Sequence, residues 1–446
     1  MDEVDASITL ETVGTPRHKS TMSAIIVNET ADSLTLQVEI KFNRSMLDAE
    51  NAICDALNEA GTLATGNFLK RFDTDGSPIV VGQTKLTSKG TVDKEYQTPY
   101  GMATISRHVY QSPSGGKTVC PLDKDARIIT SATPRFAMQL SHKYAEGSAL
   151  RVVEDLRRNH NRAITKAFVQ TVSDAVAAVA MAKEEQWSYQ LPELPADVAT
   201  IGIGIDGTCL LMCKDGWREA MVGTISLYDK AGERLHTAYI GATPEYGQKT
   251  FTRRMESEIA KVREAFPDAV KVGIADGAKS NWTFLTKHTD RQVLDFYHAV
   301  EYLTGVADAH FARDPKARKQ WLDDACTTLK HSVGGAQVLI TQMQEILSEN
   351  KSKALKEKIQ TAVKYFQNHQ QLMNYAQYLQ SNLPIGSGVT EAACKTIVKQ
   401  RLCCSGMKWK EPGAAVVLTL RTLSHRSGRW EQFWSKLDQY GFPVTA

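Results

Sequence analysis

Two stretches of the chain are apolar and then stop on an Asp-Gly pair. In Thr200–Cys209 (TIGIGIDGTC), Ile201, Ile203 and Ile205 alternate with small residues, and Asp206-Gly207 follows. That is the period-2 pattern of a strand with one buried face. In Val270–Ala278 (VKVGIADGA) an apolar run again delivers such a pair, Asp276-Gly277. The same patterning predicts strands over Glu219–Tyr228 (EAMVGTISLY), Arg234–Gly241 (RLHTAYIG) and Gln292–Phe296 (QVLDF). It also predicts a helix over Gln248–Ala265 that carries Lys249, Arg253, Arg254, Lys261 and Arg263. A meander, a helix and then strands beside the first imply a mixed sheet with helices on its faces.

The flanks read differently. Residues 299–380 are helical throughout in pattern, with Asp314-Pro315 as a cap-and-proline start and Leu372, Tyr375 and Leu379 at helical spacing. They read as an all-helical insertion. Pro384–Gly388 (PIGSG) breaks the chain before a helix, VTEAACKTIVKQRL, with Glu391 in its first turn. On the N-terminal side, Ser33–Phe42 is strand-like, Met46–Phe72 helical, and residues 93–130 form a β-ribbon around SPSGGKT. GGKT at 115–118 is not a phosphate loop, because Gln111 stands where the motif's first glycine belongs. From Thr133 the pattern is helical. Leu150, Val153 and Leu156 share a face, Asn159–Arg162 breaks the period, and Ile164, Phe168 and Val172 begin a second stripe. With Arg151, Arg157, Arg158, Arg162 and Lys166 alongside, this is either a helix-turn-helix or an ordinary helical hairpin with a solvated basic face. Residues 186–198 read as a linker. The expected division is 1–92, 93–195, 196–298, 299–383 and 384–446.

Composition narrows the class. With 446 residues the chain has room for two to four domains. Its apolar runs, such as Ala175–Ala182 and Ala414–Leu420, are too short to span a bilayer. The acidic start, MDEVDASITL, lacks the features of a secretory signal. Eight cysteines, scattered apart from Cys403-Cys404, suit thiols in a reducing compartment. No Cys-x-x-Cys pair supports a zinc site at Cys209 and Cys213, and Cys394, Cys403 and Cys404 read as core filling.

Asp206 and Asp276 at neighbouring strand ends and Glu391 at a helix start suit divalent-metal chemistry on phosphodiesters. Two Mg²⁺ ions roughly 4 Å apart can activate an oxygen nucleophile and stabilise the leaving oxygen. Mg²⁺ needs few protein carboxylates because it keeps waters and substrate phosphate. Taken singly, each Asp-Gly is also an ordinary turn. Asp295 and His298 would lie one turn apart, with Glu301 beyond. Either His298 contacts phosphate or tunes the carboxylates, or an Asp–His bond caps the helix. After Glu391 come Lys395, Lys399, Arg401, Lys408, Lys410, Arg421, Arg426 and Arg429, with Glu411 the sole acid among them. Trp409 and Trp430 lie in the same stretch. The charge suits DNA phosphate, while the tryptophans fit either base stacking or a core.

Four segments carry a family likeness: GIDGT (204–208), ADGAKSNW (275–282), LDFYHAVEYL (294–303) and PIGSGVTEAACKTIVKQRLCCSGMKW (384–409). Together they resemble bacterial insertion-sequence transposases of the DDE class, ISKra type, and HVYQSPSGGKTVCPLD (108–123) is more weakly similar. Asp295-x-x-His298 resembles a motif of Mutator-like transposases. The resemblance implies a ribonuclease H-like mixed sheet interrupted by the helical insertion, preceded by an α+β region. It implies Asp206, Asp276 and Glu391 as catalytic metal ligands, two Mg²⁺ (or Mn²⁺) ions per site, and Asp295 and His298 in support. From charge and pattern rather than from the resemblance, DNA contacts are expected at Lys395, Lys399, Arg401, Lys408, Trp409 and Lys410, with Arg157, Arg158 and Arg162 in the N-terminal region. The implied activity is cleavage at terminal inverted repeats and strand transfer into target DNA by a homo-oligomer, at least a dimer. The implied setting is cytoplasmic and nucleoid-associated. A non-catalytic DNA-binding relative and a structure-selective nuclease are the alternatives.

Overall fold

A computed structural model describes residues 23–42, 45–183, 186–187, 189–349 and 352–441. The acidic N-terminal decapeptide lies outside the described residues. The chain divides into two compact units. One holds the chain up to Phe136 together with Glu154–Ile164, and the other holds Ala137–Val153 and everything from Thr165 onward. No described helix is long and apolar enough to cross a membrane.

In the first unit, strands β1 (Ala24–Glu29) and β2 (Leu34–Val38) pair antiparallel, and a helix follows at Met46–Lys70. Strands β3 (Ile79–Val81), β4 (Thr84–Gln97) and β5 (Met102–Gln111) form an antiparallel sheet. The division expected at 92/93 therefore falls inside β4. Leu69 of the helix packs with Tyr96, Ile105 and Leu122 in one core. SPSGGKT is a turn, with Gly115 and Gly116 both at positive φ.

The second unit is built on a five-stranded mixed sheet. Its strands are β6 (Thr200–Met212), β7 (Gly216–Tyr228), β8 (Arg234–Ala242), β9 (Val270–Ala275) and β10 (Arg291–Leu294), in the spatial order β10-β9-β6-β7-β8. Short turns make β6, β7 and β8 an antiparallel meander. The helix Lys249–Ala265 then carries the chain across, so β9 joins β6 in parallel, and β10 joins β9 in parallel after the helix Lys279–His288.

The two faces of β6 are chemically distinct. Ile201, Ile203 and Ile205 bury against Phe251, Met255, Ile259 and Val262 of the crossover helix. Each such burial contributes about 1.5–3 kcal/mol. The opposite face presents Gly202, Gly204 and Asp206. A Cβ on Gly204 would stand 2.0 Å from Thr390 Oγ1, so only glycine admits the Gly388–Ala393 helix at this distance. Thr390 Oγ1 in turn hydrogen-bonds Thr224 Oγ1 at 2.7 Å. The helical insertion packs on the sheet rather than standing apart: Leu303, Leu339, Ile359 and Phe366 share one core with Val272, Ile274 and Val293. Tyr375 Oη donates to Leu294 O (2.9 Å) and Tyr378 Oη to Gln292 O (3.2 Å), tying the end of the insertion to β10.

Candidate active site

Strand register sets the site. Gly204 of β6 pairs with Ile274 of β9, the last pair of that ladder, and continuing the register two residues sets Asp206 at the level of Asp276. Ala275 pairs with Leu294 of β10, so Asp276 stands opposite Asp295. The expectation of two strand ends is corrected for Asp206: β6 runs on to Met212 because it stays paired with β7, so Asp206 lies within the strand, while Asp276 and Asp295 lie just past the ends of β9 and β10. By register the three aspartates fall at one level across three adjacent parallel strands, which are about 4.8 Å apart. Glu391 reaches this edge from the other direction, one residue after the threonine that presses on Gly204.

Each carboxylate is held in its own way. Gly207 N donates to Asp206 Oδ1 at 2.7 Å, and the Cys394 thiol donates to Asp206 Oδ2 at 3.5 Å. Asp276 Oδ1 accepts from Ala278 N (3.0 Å) and from Asn281 Nδ2 (3.3 Å). Asn281 Nδ2 also lies 3.5 Å from Ile205 O, which joins the Asp276 turn to the residue before Asp206. Asp295 is 1% exposed and committed to the frame. Its Oδ1 caps the helix Phe296–His310 through Tyr297 N (2.7 Å) and His298 N (3.4 Å). Its Oδ2 accepts from Ser387 N (3.3 Å) and Ser387 Oγ. Ser387 Oγ is also 2.9 Å from Glu391 Oε1, so one hydroxyl stands between two carboxylates.

Electrostatics follow from that crowding. Partial burial raises the Glu391 carboxyl above its ordinary value, Ser387 opposes this, and the nearby Asp295 and Asp206 push it further up. Burial, then the charge of Asp206, pushes the Cys394 thiol well above the usual thiol range, so the S–H is the donor. A cluster of like charges that raises its own member is relieved by a bound cation. Among the described residues no three metal-ligating side chains already stand as a preformed cage. Mg²⁺ does not require one, since it binds through one or two carboxylates with water and phosphate completing the set. Asp206 within β6 and Asp276 just past β9, both half-buried, and Glu391 at an exposed helix start fit that donor chemistry.

The basic residues divide into two groups. Lys395 and Lys399 are exposed and line, with Asp206, Gly207, Glu391, Cys394 and Gln400, an open cleft of about 520 Å³. Lys408 and Lys410 are also exposed. Arg401 is a correction: it is 3% exposed, its guanidinium faces Tyr144 O (3.3 Å), and it lies over the rings of Tyr144 and Trp409. Trp409 bonds Leu402 O through Nε1 (2.8 Å) and bridges to Met212 at the end of β6, so its ring belongs to the frame rather than to a stacking platform. Arg421 is 2% exposed and serves the carbonyls of Ile397, Thr396 and Ala145. Arg426 and Arg429 converge on Glu258. A guanidinium has five donors and can satisfy several helix-end carbonyls at once, which explains why arginines are buried here and lysines are not.

Two further expectations are resolved. Of the two readings of Asp295 and His298, the structure has the helix-capping Asp–His bond, made by the His298 backbone N–H to Asp295 Oδ1 (3.4 Å), while the ring Nδ1 lies 3.5 Å from Glu301 Oε2. Arg162, expected on a DNA-reading turn, is 6% exposed, donating to Thr98 O (3.1 Å) and Gln97 Oε1 (2.7 Å) over the Phe136 ring. The helix after it, Lys166–Lys183, buries Val169, Val172, Val176 and Val179, and Lys166 is the one basic residue on its exposed stripe. Arg157 and Arg158 are exposed and paired with Glu154.

Three contributors escape the sequence patterns. Asn281 and Cys394 are described above. The third is the insertion itself: a Cβ on Gly277 would meet the Tyr365 ring at 2.8 Å and His369 Cε1 at 3.3 Å, so the helix Lys353–His369 lies against the Asp276 turn. Spacing alone offered one cue, since Cys394 follows Glu391 by three residues and so shares its helix face. No protein-family model and no curated protein matches this chain.

Proposed function

We propose that this protein is a DNA transposase of the DDE class that cleaves at the ends of its element and transfers the freed 3′ hydroxyl into target DNA. The observation that carries the reading is the cleft that Asp206 and Glu391 line with Lys395 and Lys399, beside the parallel strand β9 that leads into Asp276. The strand order, with a three-stranded meander followed by two parallel strands on the far side of β6, supports a ribonuclease H-like core. In this reading Asp206, Asp276 and Glu391 hold the cations. When bound, Mg²⁺ would supply Lewis-acid stabilisation of charge on the phosphate and on the attacking and leaving oxygens. Asp295 holds the Ser387 loop against the sheet, which fixes where Glu391 enters. Asn281 and the Ala278 N–H hold the Asp276 carboxylate by Oδ1. Lys395 and Lys399 hold the phosphate chain along the cleft. Two element ends must be joined in one event, so the working form is an oligomer.

The test uses linear DNA carrying the repeats that flank the gene, with purified protein in Mg²⁺ or EDTA. Wild type is expected to cut at the repeat boundary and to give joined products. Asp276→Ala is expected to lose on the order of 10³-fold, since a ligand worth several kcal/mol of transition-state stabilisation is gone. Tight binding with no cleavage in any divalent metal would overturn the enzyme reading, and cutting without end specificity would identify a nuclease.

A further inference from the structure

Asp206 is restrained from both ends, by the Gly207 N–H on Oδ1 (2.7 Å) and by the Cys394 thiol on Oδ2 (3.5 Å). Cys394 is 3% exposed, so this thiol faces the carboxylate rather than solvent. Its placement depends on an uncommon backbone feature. The helix Gly388–Ala393 is α-helical, and the next six residues, Cys394–Lys399, form a π turn that begins at the cysteine. Single π turns inside helices are rare and recur at functional sites. The wider turn here directs Cys394 at Asp206, seats Ile397 and Val398 in the core, and leaves Lys395 and Lys399 facing the cleft. The carbonyls of Thr396 and Ile397, inside this turn, accept from the buried Arg421. The π turn is therefore braced from behind.

We propose that Cys394 is a positioning residue: its S–H fixes the rotation of the Asp206 carboxylate so that the carboxylate meets an incoming divalent cation already oriented. This rests on the reading of Asp206 as a cation ligand. The choice of sulfur follows from its chemistry. A thiol is a weak donor with a long reach, so it sets the direction of the carboxylate while drawing little charge from it. Groups that orient metal ligands from behind commonly alter metal affinity 10–100-fold when removed.

The experiment measures Mn²⁺ binding to the full-length protein without DNA, by the loss of the free-ion paramagnetic resonance signal. Variants are Cys394→Ala, Cys394→Val and Cys394→Ser, with thermal unfolding run on each. Valine fills the space and lacks a donor, whereas serine keeps a donor and leaves a small gap. Alanine and valine are both expected to weaken Mn²⁺ binding roughly 10-fold, and serine to stay within about 3-fold of wild type. A purely packing role predicts the reverse order, with valine like wild type and serine like alanine, and that result would overturn the proposal. Wild type that binds no Mn²⁺, with Asp276→Ala identical to it, would remove the cation site and the role of Cys394 together. Wild type that binds while valine matches it would remove only the role of Cys394.

Discussion

Glu391 and Glu258 are the same residue type in the same unit, and their surroundings push them in opposite directions. Glu258 is buried among cations: Arg429 Nη2 at 2.9 Å, Lys261 Nζ at 3.0 Å and Arg426 Nη1 at 3.5 Å. Burial alone would raise its carboxyl, but the charges of Arg426, Arg429 and Lys261 outweigh that and hold it at about 2. Glu391 is exposed, its charged neighbours of like sign are Asp295 and Asp206, and its carboxyl is raised. The first glutamate already has its cations within the protein. The second stands where a cation from outside would bring the larger gain. A carboxylate cluster that the fold leaves uncompensated is therefore a better marker of a site than a charged residue as such.

Neutralising each glutamate separates the two cases most sharply. Glu258→Gln removes the charge that the buried Arg426 and Arg429 share with the half-exposed Lys261, and is expected to cost about 3–5 kcal/mol of stability in chemical denaturation. DNA cleavage should persist at temperatures where the variant stays folded. Glu391→Gln is expected to abolish cleavage while leaving metal-free stability unchanged or slightly higher, because it relieves like-charge crowding. The pH dependence checks the same point. Because the folded Glu258 carboxyl lies below its ordinary value of 4.5, its contribution is fully present above that pH. It is lost as pH falls toward about 2. The stability gap between wild type and Glu258→Gln should therefore narrow across that window. A gap independent of pH there would mean that packing, not charge, holds Glu258.

A smaller effect distinguishes the exposed lysines from the buried arginines. Replacing Lys395 and Lys399 together with Ala is expected to weaken binding to all DNA sequences alike. It should lower the slope of log affinity against log salt by about 2, with little change in thermal stability. Arg401→Ala is expected to do the opposite, unfolding more easily with the salt slope unchanged, because its guanidinium serves Tyr144 O and two aromatic rings. Equal salt slopes for the lysine double variant and wild type would show that the cleft does not carry the phosphate chain.

These contrasts also show what was legible in the chain. The alternation of Ile201, Ile203 and Ile205 located β6, and the run before Asp276 located the end of β9, because burial of one face leaves a direct trace in sequence; it did not show that β6 runs on past Asp206 to Met212. The long helical stretch after 299 and the Asp314 cap were equally readable. Charge was not. Arg162, Arg401, Arg421, Arg426 and Arg429 look like a DNA surface in one dimension, yet their partners are backbone carbonyls, an amide, carboxylates and aromatic rings that are often distant in sequence, such as Ala145 O for Arg421. Nor did spacing reveal that Asp295 would be drawn inward by Ser387, 92 positions away, and that His298 would turn to Glu301 instead. The π turn at Cys394 has no sequence period of its own, so the thiol read as core filling.

The finest adjustment in the site is the shared hydroxyl of Ser387. Its Oγ has a single proton, and Asp295 Oδ2 and Glu391 Oε1 both lie within its reach. Ser387 N also donates to Asp295 Oδ2 at 3.3 Å, so the loop remains attached if the hydroxyl is removed. Ser387→Ala should therefore fold with near wild-type stability, while Glu391 loses the group that sets its rotamer. The expected result is a roughly 10-fold higher Mg²⁺ requirement for cleavage, with the rate at saturating Mg²⁺ close to wild type. Ser387→Thr, which keeps the hydroxyl, should restore the lower requirement. If the alanine variant instead lost rate at saturating Mg²⁺ with an unchanged requirement, Ser387 would act after the cation is bound, and the hydroxyl would belong with the groups that meet DNA rather than with those that orient Glu391.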